Sequence, residues 1–309
     1  MVNSFDLVII GNLTIDQNVF GKEQRLEMGG PPAYGMVAPA LGVGKVGIVS
    51  NIGHDFPKDY LSQLINAGLD ISGINHKNNT TRFVNIYTKD GHRTQEVRTV
   101  GDRITSNDIP NRYWDTQWMH ISPVLQEVEP SIISKAKQAG ATVSVDVQGF
   151  VRKRTSSQDH TIISCQWDSF PDVAPFIDIL KADIEEICQL TQQATFEKAI
   201  QVSHNLGFDI ILITRGQEGS YLFTRNTLYE IPALPSQIVL DHTGSGDVFA
   251  ISFSIEFQRT ARPLWSAFFA SSSASYNVET PGPTNFPSSE EVTNRLRKFL
   301  TDPAQRRNV

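Results

Sequence analysis

Six short apolar runs recur along the chain, at residues 7–10, 46–49, 118–121, 142–147, 177–180 and 210–214, with amphipathic stretches between them. This alternation constrains the fold more than any other feature. The runs are rich in β-branched residues and apolar at successive positions, the pattern of strands buried on both faces. The intervening stretches at 60–67, 130–139, 184–190 and 196–206 carry apolar residues at helical spacing. Each ends near a glycine or a new apolar run, as helices do. Alternation of this kind predicts an α/β fold with a mainly parallel central sheet. A chain of 309 residues can bury the core of one large domain of this type. No internal repeat divides it.

Two segments break the alternation. Residues 18–28 are polar, and residues 81–100 alternate around Asp90-Gly91, a hairpin signal. They predict a small antiparallel sheet projecting from the main domain, built from segments at about 12–28 and 80–104. Lids and dimerisation flaps have this character. Residues 152–175 read as a long polar loop with aromatic punctuation.

Charge and composition exclude several function classes. The net charge of −6 argues against nucleic-acid binding, which needs a basic face. The longest uncharged runs, 28–44 and 263–278, are broken by glycine, proline or serine, so no membrane span is expected. The two cysteines, Cys165 and Cys188, make neither a disulfide framework nor a zinc site. No cleavable leader precedes the first strand, and a cytoplasmic protein is expected.

The chemistry concentrates in Asp241-His242-Thr243-Gly244-Ser245-Gly246-Asp247, followed by an apolar stretch at 248–257. A Gly-x-Gly turn opening a helix leaves the N–H groups of Gly244, Ser245 and Gly246 without helical partners. Together with the helix dipole they form an anion site. Asp247 then sits in the first helical turn beside that site.

This string resembles the C-terminal signature of the ribokinase (PfkB) family of carbohydrate kinases. Other segments in the family's order extend the resemblance over almost the whole chain. Gly11-Asn12-Leu13-Thr14-Ile15-Asp16 resembles the first strand with its substrate aspartate. Gly29-Gly30 resembles the double-glycine segment. Lys181-Ala182-Asp183-Ile184-Glu185-Glu186 resembles the Asn-x-x-Glu motif. Thr214-Arg215-Gly216-Gln217-Glu218-Gly219 resembles the nucleotide-side turn, and residues 270–287 resemble the last helix and loop beside the adenine.

The resemblance implies a three-layer ribokinase-like domain over residues 1–309, with a β-sheet lid, and ATP-dependent phosphorylation of a hydroxyl group. Asp247 would be the base, with Gly244, Ser245 and Gly246 stabilising the transferring phosphoryl. Asp16, Gly29, Gly30, Gln148 and Arg152 would bind the acceptor, with the two glycines as a hinge. Thr214, Gly216, Gly219, Asp183, Glu186, Thr243 and Asn277 would serve the nucleotide. Mg²⁺ would bridge the phosphates, with Glu186 reaching it through water. A potassium ion would sit near Asp241 and the 279–287 loop. A monomer or a lid-mediated homodimer is implied.

The stretch Asp146-Val147-Gln148-Gly149-Phe150-Val151-Arg152 resembles the myo-inositol kinase branch. Myo-inositol or a related cyclitol is therefore the expected acceptor. The alternatives are a nucleoside or another sugar such as ribose or fructose, or a catalytically inactive sugar-binding regulator. The intact Gly-x-Gly and Asp247 argue against the last.

Overall fold

The computed structural model describes residues 4–87, 93–156, 158–225 and 227–302. The Asp90-Gly91 turn lies outside them. In chain order the strands are β1 (Phe5–Ile10), β2 (Thr14–Phe20), β3 (Glu23–Gly29), β4 (Val46–Ile52), β5 (Leu69–His76), β6 (Thr81–Tyr87), β7 (Arg93–Thr99), β8 (Thr116–Ile121), β9 (Thr142–Asp146), β10 (Arg152–Arg154), β11 (Ile162–Ser164), β12 (Ile179–Asp183), β13 (Ile210–Thr214), β14 (Ser220–Thr224) and β15 (Thr227–Ile231). The helices are α1 (Pro31–Tyr34), α2 (Val37–Ala40), α3 (Lys58–Asn66), α4 (Ser131–Gln138), α5 (Phe170–Val173), α6 (Ile184–Thr191), α7 (Phe196–Asn205), α8 (Ser245–Thr260), α9 (Pro263–Asn277) and α10 (Ser289–Thr301).

Among the described residues, nine strands form the main sheet in the order β15-β14-β13-β12-β9-β8-β1-β4-β5. The pairs from β13 to β5 are parallel, and β14 and β15 add an antiparallel edge. Side chains alternate across this sheet. Leu7, Ile9, Ile48, Trp118 and Leu212 pack with α8, α9 and α10 on one face. Val8, Ile10, Met119, Val145 and Ile213 pack with α4, α6 and α7 on the other. This two-sided burial is why these strands read as continuous apolar runs.

Helices α8 and α9 are buried nearly all round. Their serines allow close approach and spend their hydroxyls inside the pair. Ser252 Oγ donates to Ser273 Oγ at 2.8 Å, and Ser254 and Ser266 donate to carbonyls one turn back.

The smaller sheet has the order β3-β2-β6-β7. It is mixed rather than antiparallel, because its central pair β2–β6 is parallel. Two further differences have clear causes. The run expected at 177–180 is a strand at Ile179–Asp183, because a buried ion pair carries Lys181 within it. The segment at 152–175 contains the hairpin β10–β11, whose turn leans on β7 through a hydrogen bond from Val97 N to His160 O at 2.9 Å.

Candidate active site

Helix α8 starts at the carboxyl edge of the main sheet. Gly244 is its N-cap, with φ 74°. A Cβ there would overlap the ring of Tyr34, which is itself fully buried. Both the positive φ and the close approach therefore require glycine. Among the described residues the N–H groups of Gly244 and Gly246 meet no protein acceptor. Ser245 differs from expectation: its N–H turns back to His242 O at 3.3 Å, and its hydroxyl donates to the same oxygen at 2.9 Å. The anion cradle at this end thus rests on the two glycines and the helix dipole.

Asp247 faces the cavity beneath this cradle. Burial, then the nearby Asp146 carboxylate, lifts its carboxyl up to about 7; Lys181, Arg152 and a 3.5 Å hydrogen bond from Gln148 Nε2 oppose the rise. A carboxylate poised there is suited to take a proton near neutral pH. Asp146, the last residue of β9, pairs with Lys181 Nζ at 2.8 Å, and both are buried. The Lys181 ammonium lies beneath Gly246, where a Cβ would stand 3.4 Å from Nζ. Burial acts against that charge, but Asp146, Glu186 and Asp247 outweigh it and hold Lys181 protonated. His120 lies behind the pair, hydrogen-bonded through Nδ1 to Ser144 Oγ at 2.8 Å and kept neutral by burial, with its pKa lowered to about 4.

A cavity of about 180 Å³ lies between this edge and the smaller sheet. Asp16, Gly30, Phe83, Gln95, Gln148 and Arg152 are among its walls. Asp16 stands within β2, and Thr14 Oγ1 donates to its Oδ1 at 2.6 Å. Gly30 has φ 85°, and a Cβ on it would overlap the carbonyl of Asn12. Gly29 ends β3 against Asp16 and Thr14. Arg152 donates through Nε to Val124 O at 2.7 Å and lies over the Phe83 ring at 5.9 Å. Glu127 shapes this wall, accepting the N–H groups of Asn12, Val124 and Leu125 at 2.7–3.0 Å.

A second cavity, of about 630 Å³, opens on the other side of His242 and Gly246, which line both. Thr214, Gly216 and Gly219 line it, with Leu234, Val239, Phe249, Ala274 and Val278 forming an apolar end. Four sequence-derived nucleotide residues do not line it. Asn277 is buried and donates to Thr243 O at 2.9 Å, bracing the turn before α8. Thr243 itself lines the smaller cavity. Asp183 and Glu186 form the capping box of α6, each accepting the other's N–H at 2.7 Å. Burial raises the Glu186 carboxyl, against the lowering by Lys181. Asp241 accepts Thr243 N at 2.9 Å and Gly282 N at 3.3 Å, tying this turn to the 279–287 loop.

Lys181, Tyr34, Phe83 and Gln95 are site residues that the sequence reading passed over. Lys181 did leave a signal, a charge directly after the apolar run at 177–180. The other three depend on how the smaller sheet meets the large one.

The pfkB family carbohydrate kinase profile matches residues 5–291. A cytidine kinase of Thermococcus kodakarensis is 31% identical over 269 residues, covering 84% of this chain and 90% of its own. A pyrophosphate-dependent kinase in the ribokinase family, solved with a pyrophosphate analog and myo-inositol, superposes with a TM-score of 0.79 at 22% identity, over 93% of this chain and 99% of its own. Arabidopsis thaliana ribokinase, solved with ribose and ATP, gives 0.76 at 20% identity, over 95% and 99%. The chain belongs to the pfkB family of carbohydrate kinases, phosphotransferases that act on hydroxyl groups.

Proposed function

We propose that this kinase transfers the terminal phosphoryl of ATP to the primary hydroxyl of a nucleoside. One observation carries the acceptor. The groups facing the smaller cavity from the small sheet are spread over three strands: Asp16 on β2, Phe83 on β6 and Gln95 on β7. Two strand spacings separate the outer pair, about 10 Å. That suits an acceptor longer than a single ring. Asp16 would take vicinal ribose hydroxyls, Phe83 would face the base, and Gln95 with Arg152 would meet its polar edge. The cytidine kinase relative supports the same class.

Asp247 would remove the proton of the attacking hydroxyl. The N–H groups of Gly244 and Gly246, with the Lys181 ammonium below them, would hold the phosphoryl group as its charge redistributes. The second cavity suits a nucleotide donor. Its apolar end fits a base, and no described residue lining it is lysine or arginine, which a pyrophosphate donor would need along its length.

Among the described residues no cluster of three or more metal-ligating side chains is present. The chain therefore fits a Mg²⁺ held mainly by donor phosphates and water, with the carboxylate of Glu186 reaching a water. That ion would neutralise phosphate charge. Potassium would fit near Asp241 and the 279–287 loop.

A cyclitol acceptor, the sequence expectation, remains the second reading. The small volume and mainly polar walls of the acceptor cavity favour it. A coupled ADP-release assay over cytidine, adenosine, ribose, fructose and myo-inositol decides between them. Faster turnover of cytidine or adenosine supports the nucleoside; preference for myo-inositol rejects it.

A further inference from the structure

Four hydrogen bonds run across the whole small sheet from the acceptor cavity. Arg152 Nη1 donates to Gln95 Oε1 at 3.5 Å, Gln95 Nε2 to Asn85 Oδ1 at 2.9 Å, Asn85 Nδ2 to Asn18 Oδ1 at 2.9 Å, and Asn18 Nδ2 to Glu27 Oε2 at 2.8 Å. The chain crosses β7, β6, β2 and β3 in turn. Asn18 and Asn85 are fully buried, and they face each other in register.

The ends of the chain fix its sense. An arginine can only donate, and an ionised carboxylate can only accept. Each amide between them has one carbonyl and one NH₂ group. The one arrangement that satisfies every link turns each carbonyl toward Arg152 and each NH₂ toward Glu27. Reversing Gln95 would set its NH₂ against the guanidinium and its carbonyl against the Asn85 carbonyl, leaving two half-buried mismatches. Gln95 is thus held with its oxygen at the cavity wall, and that oxygen has a second lone pair. One of the two N–H groups of its NH₂ is taken by Asn85.

We propose that Gln95 is a specificity-determining residue that meets the acceptor through its amide oxygen, the group turned toward Arg152 at the cavity wall. Beside the donor-only Arg152, it selects a base carrying an amino group next to an unprotonated ring nitrogen. This inference rests on the nucleoside reading and deepens it. Cytosine and adenine have that edge. Uracil and hypoxanthine present a carbonyl next to a ring N–H, the reverse pattern. Placed here, their carbonyl would oppose the Gln95 oxygen and their N–H would oppose the guanidinium. The hydroxyls of a cyclitol both donate and accept, so the same wall would not discriminate among them by polarity.

The test compares kcat/KM with saturating ATP for cytidine against uridine and for adenosine against inosine, in the wild-type protein and in Gln95→Leu. A site that leaves a polar partner unpaired rejects the mismatched ligand, here by about tenfold or more. The expected result is that preference for cytidine over uridine, with adenosine over inosine in the same sense. Gln95→Leu should lower kcat/KM for cytidine about tenfold, mainly through KM, and change that for uridine little. Uridine turned over as well as cytidine by the wild type would overturn the role of Gln95 while leaving a nucleoside kinase standing. An unchanged cytidine preference in a folded Gln95→Leu variant would overturn it as well. Turnover of myo-inositol with none of any nucleoside would reject both readings. The wild-type ratios decide even if the variant does not fold.

Discussion

Replacing Asp247 by Asn should move activity and stability in opposite directions. Folding raises this carboxyl from its ordinary 3.8 to about 7. A raised carboxylate pKa means the folded protein binds an extra proton between those values. Stability contributed by this group is therefore full at low pH and falls as pH rises from about 4 to 7. The shift of about three units, at about 1.4 kcal/mol each, sets an upper limit of about 4 kcal/mol. Solvent reaches Asp247 from the cavity, so about 2–4 kcal/mol is the expected range. That figure already includes the attraction of Lys181 and Arg152, which partly offset burial and Asp146. Asn carries no charge to desolvate. The variant should match the wild type in unfolding free energy near pH 4 and exceed it by that margin at pH 8. Meanwhile kcat should fall by about 10²–10⁴-fold with loss of the base. Denaturant unfolding at pH 5 and 8, alongside ADP release, measures both. Equal pH dependence of stability in the two proteins would refute the buried-charge argument. Near wild-type turnover would refute the assignment of the base.

Three further outcomes follow from the same geometry. Lys181→Met breaks a buried ion pair and should cost about 3–5 kcal/mol of stability; by removing a cation that faces Asp247, it should also move the acid limb of kcat/KM, expected near pH 7 in the wild type, to higher pH. An unmoved limb in a folded variant would exclude Lys181 from tuning the base. Gly244→Ala forces a positive φ and drives a methyl group into the Tyr34 ring, so thermal unfolding should show a loss of at least about 1–3 kcal/mol, and a variant as stable as the wild type would contradict the packing. Asp16→Ala should raise KM for the acceptor about tenfold or more and leave KM for ATP nearly constant, whereas equal changes in both would place Asp16 outside the acceptor site.

Much of what was legible of the site lies on the main sheet and α8, while Asp16, Gly29 and Gly30 at the small sheet came through the family resemblance. The parallel strands are buried on both faces, so each announces itself as an apolar run, and the residues at their carboxyl ends follow directly. Asp146 ends β9, Asp183 ends β12 and Thr214 ends β13. The Gly-x-Gly before α8 is local too, since the helix start needs those residues within one turn. Less legible were residues whose surroundings are set at a distance. Asp183 and Glu186 stand in a segment that resembles the family's Asn-x-x-Glu motif, and the same spacing is that of a capping box, which they form at the start of α6. The expected strand stops at residue 180, one short of Lys181, which lies inside β12. Its partner Asp146 lies 35 residues earlier on β9, one strand away in the sheet.

Acceptor identity was harder to read for a related reason. The groups placed for chemistry sit on the main sheet or at the start of α8, which are rigid and encoded locally. Several of those facing the acceptor sit on the small sheet, whose polar alternation predicts a projecting sheet without showing which of its side chains are buried. Asn18 and Asn85 would each pass for a surface amide in sequence, yet both are buried and bonded to each other. Their pairing is parallel, between segments 67 residues apart, so neither segment alone reveals it. Such an arrangement lets acceptor preference change through substitutions on β2, β6 and β7 without disturbing Asp247, Lys181 or the Gly244–Gly246 cradle. The cavity walls contributed by the small sheet, rather than the motif at α8, are therefore where differences in acceptor between related chains should concentrate.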